Sequence, residues 1–173
     1  LATTSSLSDS DFNAGNYNFK NATANSVINQ GSIEVVNGGS VILASNEVRN
    51  EGTIKAIKGQ VRLVGASDYT INLNGNSLVN LTVGRGALDA MVENSGAIVA
   101  DGGAIYLTTS AVGELLKGVV NNTGVIEANS IDDLFGKVTI TAEKIDLKSD
   151  SIINAKGTTQ QSGNIVLVGG DVT

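Results

Sequence analysis

A short phrase around an asparagine and a glycine repeats along the chain, and this repetition constrains the fold more than any other feature. The phrase occurs as I-N-Q-G-S-I (28–33), R-N-E-G-T-I (49–54), E-N-S-G-A-I (93–98) and N-N-T-G-V-I (121–126). A second phrase, Gly-x-(Val/Ile)-x-(Leu/Ile), occurs at 39–43, 59–63, 103–107, 136–140 and 163–167. Internal repeats of about 20–30 residues are typical of solenoids, in which each copy packs on the next.

Both phrases alternate apolar and more polar positions. In the first, the isoleucines precede a mostly charged position occupied by Glu34, Lys55, Val99 and Glu127. The second contains two apolar columns, Val41, Val61, Ile105, Val138 and Ile165, and Leu43, Leu63, Leu107, Ile140 and Leu167. Between these columns is a mixed set that we expect on an outer surface: Ile42, Arg62, Tyr106, Thr139 and Val166. A period of two indicates half-buried strands, and identical columns one coil apart indicate parallel pairing. The sequence therefore predicts an all-β parallel β-helix of about five or six coils.

The asparagine and glycine of the first phrase predict a corner between strands. We expect the asparagines to stack as a hydrogen-bonded ladder along the solenoid: Asn29, Asn50, Asn94 and Asn122. The glycines are expected to supply a positive φ: Gly31, Gly52, Gly96 and Gly124. A fifth copy is predicted at 152–157, where Asn154 takes the asparagine position and the glycine moves by one residue.

The repeat is interrupted in several places, where we expect excursions from the helix. Residues 70–83 form either a degenerate coil or an extra-helical β-hairpin, and Asn74-Gly75 favours the hairpin. The insertion 131–135 predicts a longer loop, and short helical insertions are expected at 86–92 and 111–118. We expect the breaks at 70–83 and 131–135 to carry any specific binding.

Length and charge narrow the class of protein. The 173 residues suit a single β-helical segment, 1–173, and the net charge of −6 with 11 Lys and Arg argues against nucleic acid and anionic membranes. No apolar run is long enough to insert in a membrane as a helix. Because both ends would expose sheet edges, we expect the natural protein to continue beyond them.

The residues that could carry chemistry are few, and we predict no catalytic, cofactor-binding or metal site and no enzymatic activity. The chain has no His and no Cys, which excludes a Ser-His-Asp triad, a Cys-His pair and the usual zinc sites. Glycoside cleavage needs two carboxylates, and the candidate groups are Asp9 with Asp11, Asp132 with Asp133, and Glu143 with Asp146 and Asp150. Asp9 and Asp11 are expected on one side of a strand. A lyase would also need a basic group, and the three arginines share no strand column with these carboxylates: Arg49, Arg62 and Arg85.

Three segments resemble the secretion-domain region of filamentous haemagglutinin-like exoproteins. They are S-L-S-D-S-D-F-N-A-G-N-Y-N-F (6–19) with the repeats that follow it, A-L-D-A-M-V-E-N-S-G-A-I-V-A-D-G-G (87–103), and G-V-V-N-N-T-G-V-I-E-A (118–128). The resemblance implies a right-handed β-helix, with 1–20 matching the later part of the secretion domain and 21–173 forming the following coils. The family's Asn-Pro-Asn-Gly signature has no counterpart in this proline-free chain, so we expect that part upstream of Leu1 or removed.

This resemblance also implies a function. Such proteins leave Gram-negative bacteria by two-partner secretion through a dedicated outer-membrane transporter, and they include adhesins, haemagglutinins, haemolysins, haem-acquisition proteins and contact-dependent toxins. We therefore expect a secreted or surface-displayed adhesin segment that acts as scaffold and export-initiating region, without cofactors. The alternatives are a β-helix module that binds host or matrix glycans or receptors through Arg62, Tyr106 and the 70–83 excursion, and a polysaccharide-cleaving enzyme.

Overall fold

The structure is a computed structural model that describes residues 1–20, 25–74, 78–86, 89–109, 118–157 and 162–173. Its elements, numbered in chain order, are β1 (Ala2–Thr3), α1 (Asp9–Asn13), β2 (Tyr17–Phe19), β3 (Ser26–Asn29), β4 (Ser32–Glu34), β5 (Ser40–Ser45), β6 (Glu47–Asn50), β7 (Thr53–Lys55), β8 (Gln60–Asn74), β9 (Leu78–Gly86), β10 (Met91–Asn94), β11 (Ala97–Val99), β12 (Ala104–Thr108), β13 (Val119–Asn122), β14 (Val125–Glu127), β15 (Lys137–Thr141), β16 (Lys144–Leu147), β17 (Ile152–Asn154), β18 (Asn164–Val168) and β19 (Asp171–Val172).

Each coil contributes one strand to each of three parallel sheets. The first sheet has the order β1-β5-β8-β12-β15-β18, the second β3-β6-β10-β13-β16-β19, and the third β4-β7-β11-β14-β17. Every pairing along these three paths is parallel. The predicted parallel β-helix is confirmed.

The repeat columns of the sequence are the columns of the structure. Ile54 pairs with Ile98, and Ile98 with Ile126, in the third sheet. In the first sheet Ile105 is in register with Val61 on one side and Val138 on the other. All of these side chains are completely buried. Since each buried aliphatic side chain contributes roughly 1.5–3 kcal/mol, the interior is held together by many similar contacts between neighbouring coils.

The asparagine ladder forms as predicted along the corner between the second and third sheets. The Nδ2 atom of each asparagine donates to Oδ1 of the next at 2.8 Å, from Asn29 through Asn50 and Asn94 to Asn122. The prediction for the fifth copy is wrong. Leu147, not an asparagine, pairs with Asn122, whereas Asn154 lies opposite Glu127 in the third sheet and donates to its carboxylate.

The repeated glycines serve a different purpose from the one predicted. None of Gly31, Gly52, Gly96 and Gly124 has a positive φ. A Cβ on any of the last three would instead collide with the carbonyl oxygen of the equivalent glycine one coil earlier. These glycines allow the corners of successive coils to stack closely, a second reason for a residue without a side chain.

The 70–83 segment belongs to a β-hairpin, which confirms the favoured alternative. Strand β8 runs past the edge of the first sheet and pairs antiparallel with β9, while β2 pairs antiparallel with the other edge of β8. Phe19 and Tyr69 stack with ring centroids 5.0 Å apart. With Ile42, Ala44 and other residues they form a second apolar cluster. Ile42 was predicted on an outer surface but is buried, because the hairpin covers that part of the first sheet.

The short helices are not where they were expected. Asp9 and Asp11, predicted on a strand, lie in the first turn of α1, whose N-cap is Ser8. The Ser8 hydroxyl accepts from the backbone N–H of Asp11, and acidic residues favour this end of a helix. The helical patch at 86–92 is wrong in its described part, where Met91 and Val92 belong to β10. The patch at 111–118 lies outside the described residues except for Gly118.

Candidate functional site

The candidate carboxylates do not converge on one site. Asp11 accepts from the Ser8 hydroxyl, Asp132 pairs with Lys58 at 3.2 Å, and Asp146 pairs with Lys148 at 2.6 Å. The hydrogen bond from Lys148 lowers the pKa of Asp146 from its ordinary value. Within the described residues no group of three or more Asp or Glu side chains is arranged to hold a metal ion. In the same part of the chain, no helix has the length and apolar character needed to span a membrane.

The outer face of the first sheet holds the basic and aromatic residues singled out in the sequence. Arg62, Tyr106 and Thr139 are aligned in neighbouring strands β8, β12 and β15. The Arg62 guanidinium carbon lies 4.0 Å from the centroid of the Tyr106 ring, and Lys137 Nζ lies 5.7 Å from the same centroid. Tyr106 therefore contacts two cations, within the range of cation–π attraction.

Two concave regions adjoin this ring. The first, of about 270 Å³, lies between the hairpin and the open part of the sheet, and its lining includes Arg62, Leu81, Val83, Tyr106 and Thr141. We call it the hairpin groove.

The second region, of about 350 Å³, lies on the side of the 131–135 insertion, and we call it the insertion groove. Its lining includes Lys58, Tyr106, Leu134, Phe135 and Lys137. The insertion is the predicted loop: Ile131 and Leu134 exchange backbone hydrogen bonds, and Leu134 and Phe135 remain exposed. Tyr106 lines both grooves, so the two predicted breaks in the repeat lie on either side of one residue.

The positive charge of Arg62 is not balanced by a carboxylate among the described residues. Its only hydrogen bond within the described residues runs from Nη2 to the neutral Gln60 side chain at 3.1 Å, and Nε is buried without a partner. None of the ion pairs among the described residues involves Arg62 or Lys137. Burial lowers the pKa of the Arg62 guanidinium, and the nearby Tyr106 phenol partly offsets this. Arginine nevertheless stays charged at neutral pH, so among the described residues this half-buried positive charge has no carboxylate partner.

The other two arginines play structural roles away from these grooves. Arg49 pairs with Glu47 and lies 3.8 Å from Glu93 across the second sheet. Arg85 pairs with Asp68 at 2.5 Å and joins β9 to β8 in the hairpin.

Sequence reasoning missed Lys137 as a member of the site. Its position could have been inferred from the period of two, because Lys137 precedes Thr139 by two residues and so lies on the same face of β15. It also missed an apolar cavity of about 350 Å³ beside α1, whose lining includes Leu1, Phe12 and Leu73. No local pattern joins these three residues, which lie far apart in the chain.

The chain is similar to known proteins in both sequence and fold. No family model matches the chain. The crystal structure of the HMW1 secretion domain from Haemophilus influenzae superposes with a TM-score of 0.68 and 27% sequence identity, covering 96% of this chain and 50% of that one. The heme/hemopexin-binding protein of the same organism is 30% identical over 114 residues, which are 66% of this chain and 11% of that protein.

In sequence and in fold, the chain is similar to two-partner secretion exoproteins. The resemblance inferred from the segments at 6–19, 87–103 and 118–128 is thereby confirmed, and so is the β-helical fold that it implied. The chain spans half of the solved secretion-domain chain and about a tenth of the length of the heme/hemopexin-binding protein.

Proposed function

We propose that this two-partner secretion exoprotein segment is the export-initiating scaffold of a large adhesin displayed on, or released from, the surface of a Gram-negative bacterium. Its partner would be a dedicated outer-membrane transporter. The observation that carries the proposal is the likeness of 96% of the chain to a secretion domain. We assign it no catalytic role, and its residues 1–20 would correspond to the later part of the secretion domain, followed by coils from 21 to 173.

The mechanism we propose is progressive stacking outside the cell. The chain has no cysteine and so carries no disulfides to hinder passage through a pore in an extended form. Each coil that emerges packs its aliphatic columns on the preceding one, and each buried side chain contributes roughly 1.5–3 kcal/mol. Folding of successive coils then makes return of the chain through the pore unfavourable.

Charged substitutions inside the helix test this mechanism. Ile98→Asp places a carboxylate in a fully buried column, where an unpaired charge is strongly unfavourable. We expect the variant, and likewise Ile54→Asp, to lose secretion when produced with its transporter. Val99→Asp is the matched control, because Val99 is the next residue and lies on the other face of β11, between Lys55 and Glu127. Normal export of both isoleucine variants would refute the mechanism.

A second candidate function is recognition of a glycan or receptor through the outer face. It is favoured by Tyr106, which lines both grooves and lies between two cations that form no ion pair within the described residues. Tyr106→Ala should abolish binding on a glycan array without impairing secretion. An array on which the unmodified chain binds nothing would count against this function.

A further inference from the structure

The structure points to the chemical class of ligand at Tyr106, and we propose that the two grooves take an acidic saccharide. Its carboxylate or sulfate would bind Arg62 and Lys137, and its sugar rings would lie along the hairpin and insertion grooves. This inference rests on the second candidate function above and is independent of the export mechanism.

The charges around the ring favour an anion. Five other basic residues have carboxylate partners: Arg49, Lys55, Lys58, Arg85 and Lys148. Arg62 and Lys137 have none within the described residues, and neither have Lys20, Lys144 and Lys156, but Arg62 and Lys137 are the two that share one aromatic ring. Both cations lie within 6 Å of the Tyr106 ring centroid. An acidic group placed beside the ring would therefore complete two charge-assisted hydrogen bonds.

The position of Arg62 argues against a neutral sugar. A neutral saccharide is held at an aromatic residue chiefly by stacking on an open ring face. One face of Tyr106 is covered by the guanidinium group at 4.0 Å, and the ring also has Lys137 at 5.7 Å. Stacking on that face would require the guanidinium group to leave the ring, whereas an acidic group can bind the two cations where they are.

The walls of the grooves suit a sugar attached to that acidic group. Thr139 and Thr141 line the hairpin groove and can exchange hydrogen bonds with hydroxyl groups. Leu81 and Val83 on one side, and Phe135 on the other, offer apolar surface to the C–H edges of sugar rings. A small inorganic anion would use only the two cations and leave these walls uncovered.

Titration calorimetry on the chain with matched saccharides tests the proposal. The probes are oligogalacturonate, its fully methyl-esterified form, a heparin-derived oligosaccharide, and acetate or sulfate alone. We expect at least one of the two acidic oligosaccharides to bind, with affinity that falls as salt rises, and the ester and the free ions to bind at least about tenfold more weakly. Equal binding of the ester would overturn the acidic class while leaving saccharide recognition intact. No binding of any saccharide would overturn both, and equal binding of free ions would reduce the site to an anion site.

Charge-matched variants localise the binding. Arg62→Gln and Lys137→Gln should each weaken acidic-saccharide binding about tenfold, the usual effect of losing one charge-assisted hydrogen bond. Arg49→Gln and Lys144→Gln remove the same charge from the second sheet and should change affinity less than about twofold. Because Lys137 is exposed at the start of β15, its variant stays informative even if Arg62→Gln unfolds. Equal losses in all four variants would show non-specific attraction and overturn the assignment.

Discussion

The asparagine ladder makes a quantitative prediction because its members differ in the number of ladder bonds they make. Asn94 is completely buried, accepts from Asn50 Nδ2 and donates to Asn122 Oδ1, both at 2.8 Å. Asn29 begins the ladder and makes only one such bond, to Asn50. Leucine nearly matches the shape of asparagine and cannot hydrogen-bond. Substitution by leucine therefore removes the bonds with little change in packing.

The expected costs follow from the buried atoms that lose their ladder partner. Asn94→Leu removes that partner from two atoms, Nδ2 of Asn50 and Oδ1 of Asn122, and each unsatisfied buried group costs about 1–3 kcal/mol. Asn29→Leu removes it from one atom, Oδ1 of Asn50. The free energy of unfolding should thus fall by about 2–6 kcal/mol for Asn94→Leu and about half as much for Asn29→Leu. The lower part of the range is expected for Asn94→Leu, because Asn50 Nδ2 keeps weaker hydrogen bonds to the Gly52 carbonyl oxygen at 3.3 Å and the Ala97 carbonyl oxygen at 3.4 Å.

Equilibrium urea unfolding followed by far-ultraviolet circular dichroism measures the difference. The midpoints are compared at constant slope, since a change in slope would mean that unfolding no longer exposes the same surface. The chain already contains the end-of-ladder case, because Leu147 pairs with Asn122 where the ladder stops. Asn122→Leu should therefore resemble Asn29→Leu. Equal losses for Asn94→Leu and Asn29→Leu, or no loss for either, would refute the reasoning.

Two further predictions concern the glycine column and the hairpin. Gly96→Ala should lower the free energy of unfolding by about 1–3 kcal/mol, because the new methyl group meets the Gly52 carbonyl oxygen. Gly84→Ala has room for the methyl group and should change the free energy of unfolding by less than about 0.5 kcal/mol. Urea midpoints measure both variants, and equal effects would contradict the stacking explanation. Burial raises the pKa of Tyr69 above its ordinary 10.0, so the stability it contributes is complete below pH 10.0 and is lost as the pH rises through the raised value. Tyr69→Phe loses the 2.6 Å hydrogen bond to Thr3 and should be about 1 kcal/mol less stable than the unmodified chain at neutral pH. This difference in stability should disappear in alkali, and a difference that stays the same there would contradict the prediction.

The parts of the fold that the sequence predicts are those that repeat at constant offsets. Ile54, Ile98 and Ile126 share one position of one phrase, and a parallel β-helix places such equivalents directly above one another. The second apolar cluster has no such signal. Phe19 and Tyr69 are 50 residues apart, and only the antiparallel pairing of β2 with β8 brings them together.

Two errors arose where one pattern fits two structures. The pair Asp9 and Asp11 alternates like a strand, but Ser8 three residues before Asp11 is also a helix N-cap pattern, and here the cap determines the structure. The repeated glycines fit a left-handed turn as well as a close approach of two backbones, since both need the absence of a Cβ. The sequence alone does not distinguish a left-handed turn from a close backbone approach, because the approach depends on the position of the neighbouring coil.

The location of the candidate site follows from where the hairpin ends. One outer column of the first sheet runs through Ile42, Arg62, Tyr106 and Thr139, equivalent residues in successive coils. Ile42 is buried in the cluster beneath the hairpin, whereas the other three are only half-buried. At the boundary, the half-buried Arg62 lines a groove with Leu81 and Val83 of the hairpin and lies against the ring of Tyr106. The interior columns are already filled by their own neighbours, so the proposed recognition falls on the outer face. The end of the hairpin then determines which residue of this column is a half-buried charge with no ion-pair partner among the described residues, and that residue is Arg62.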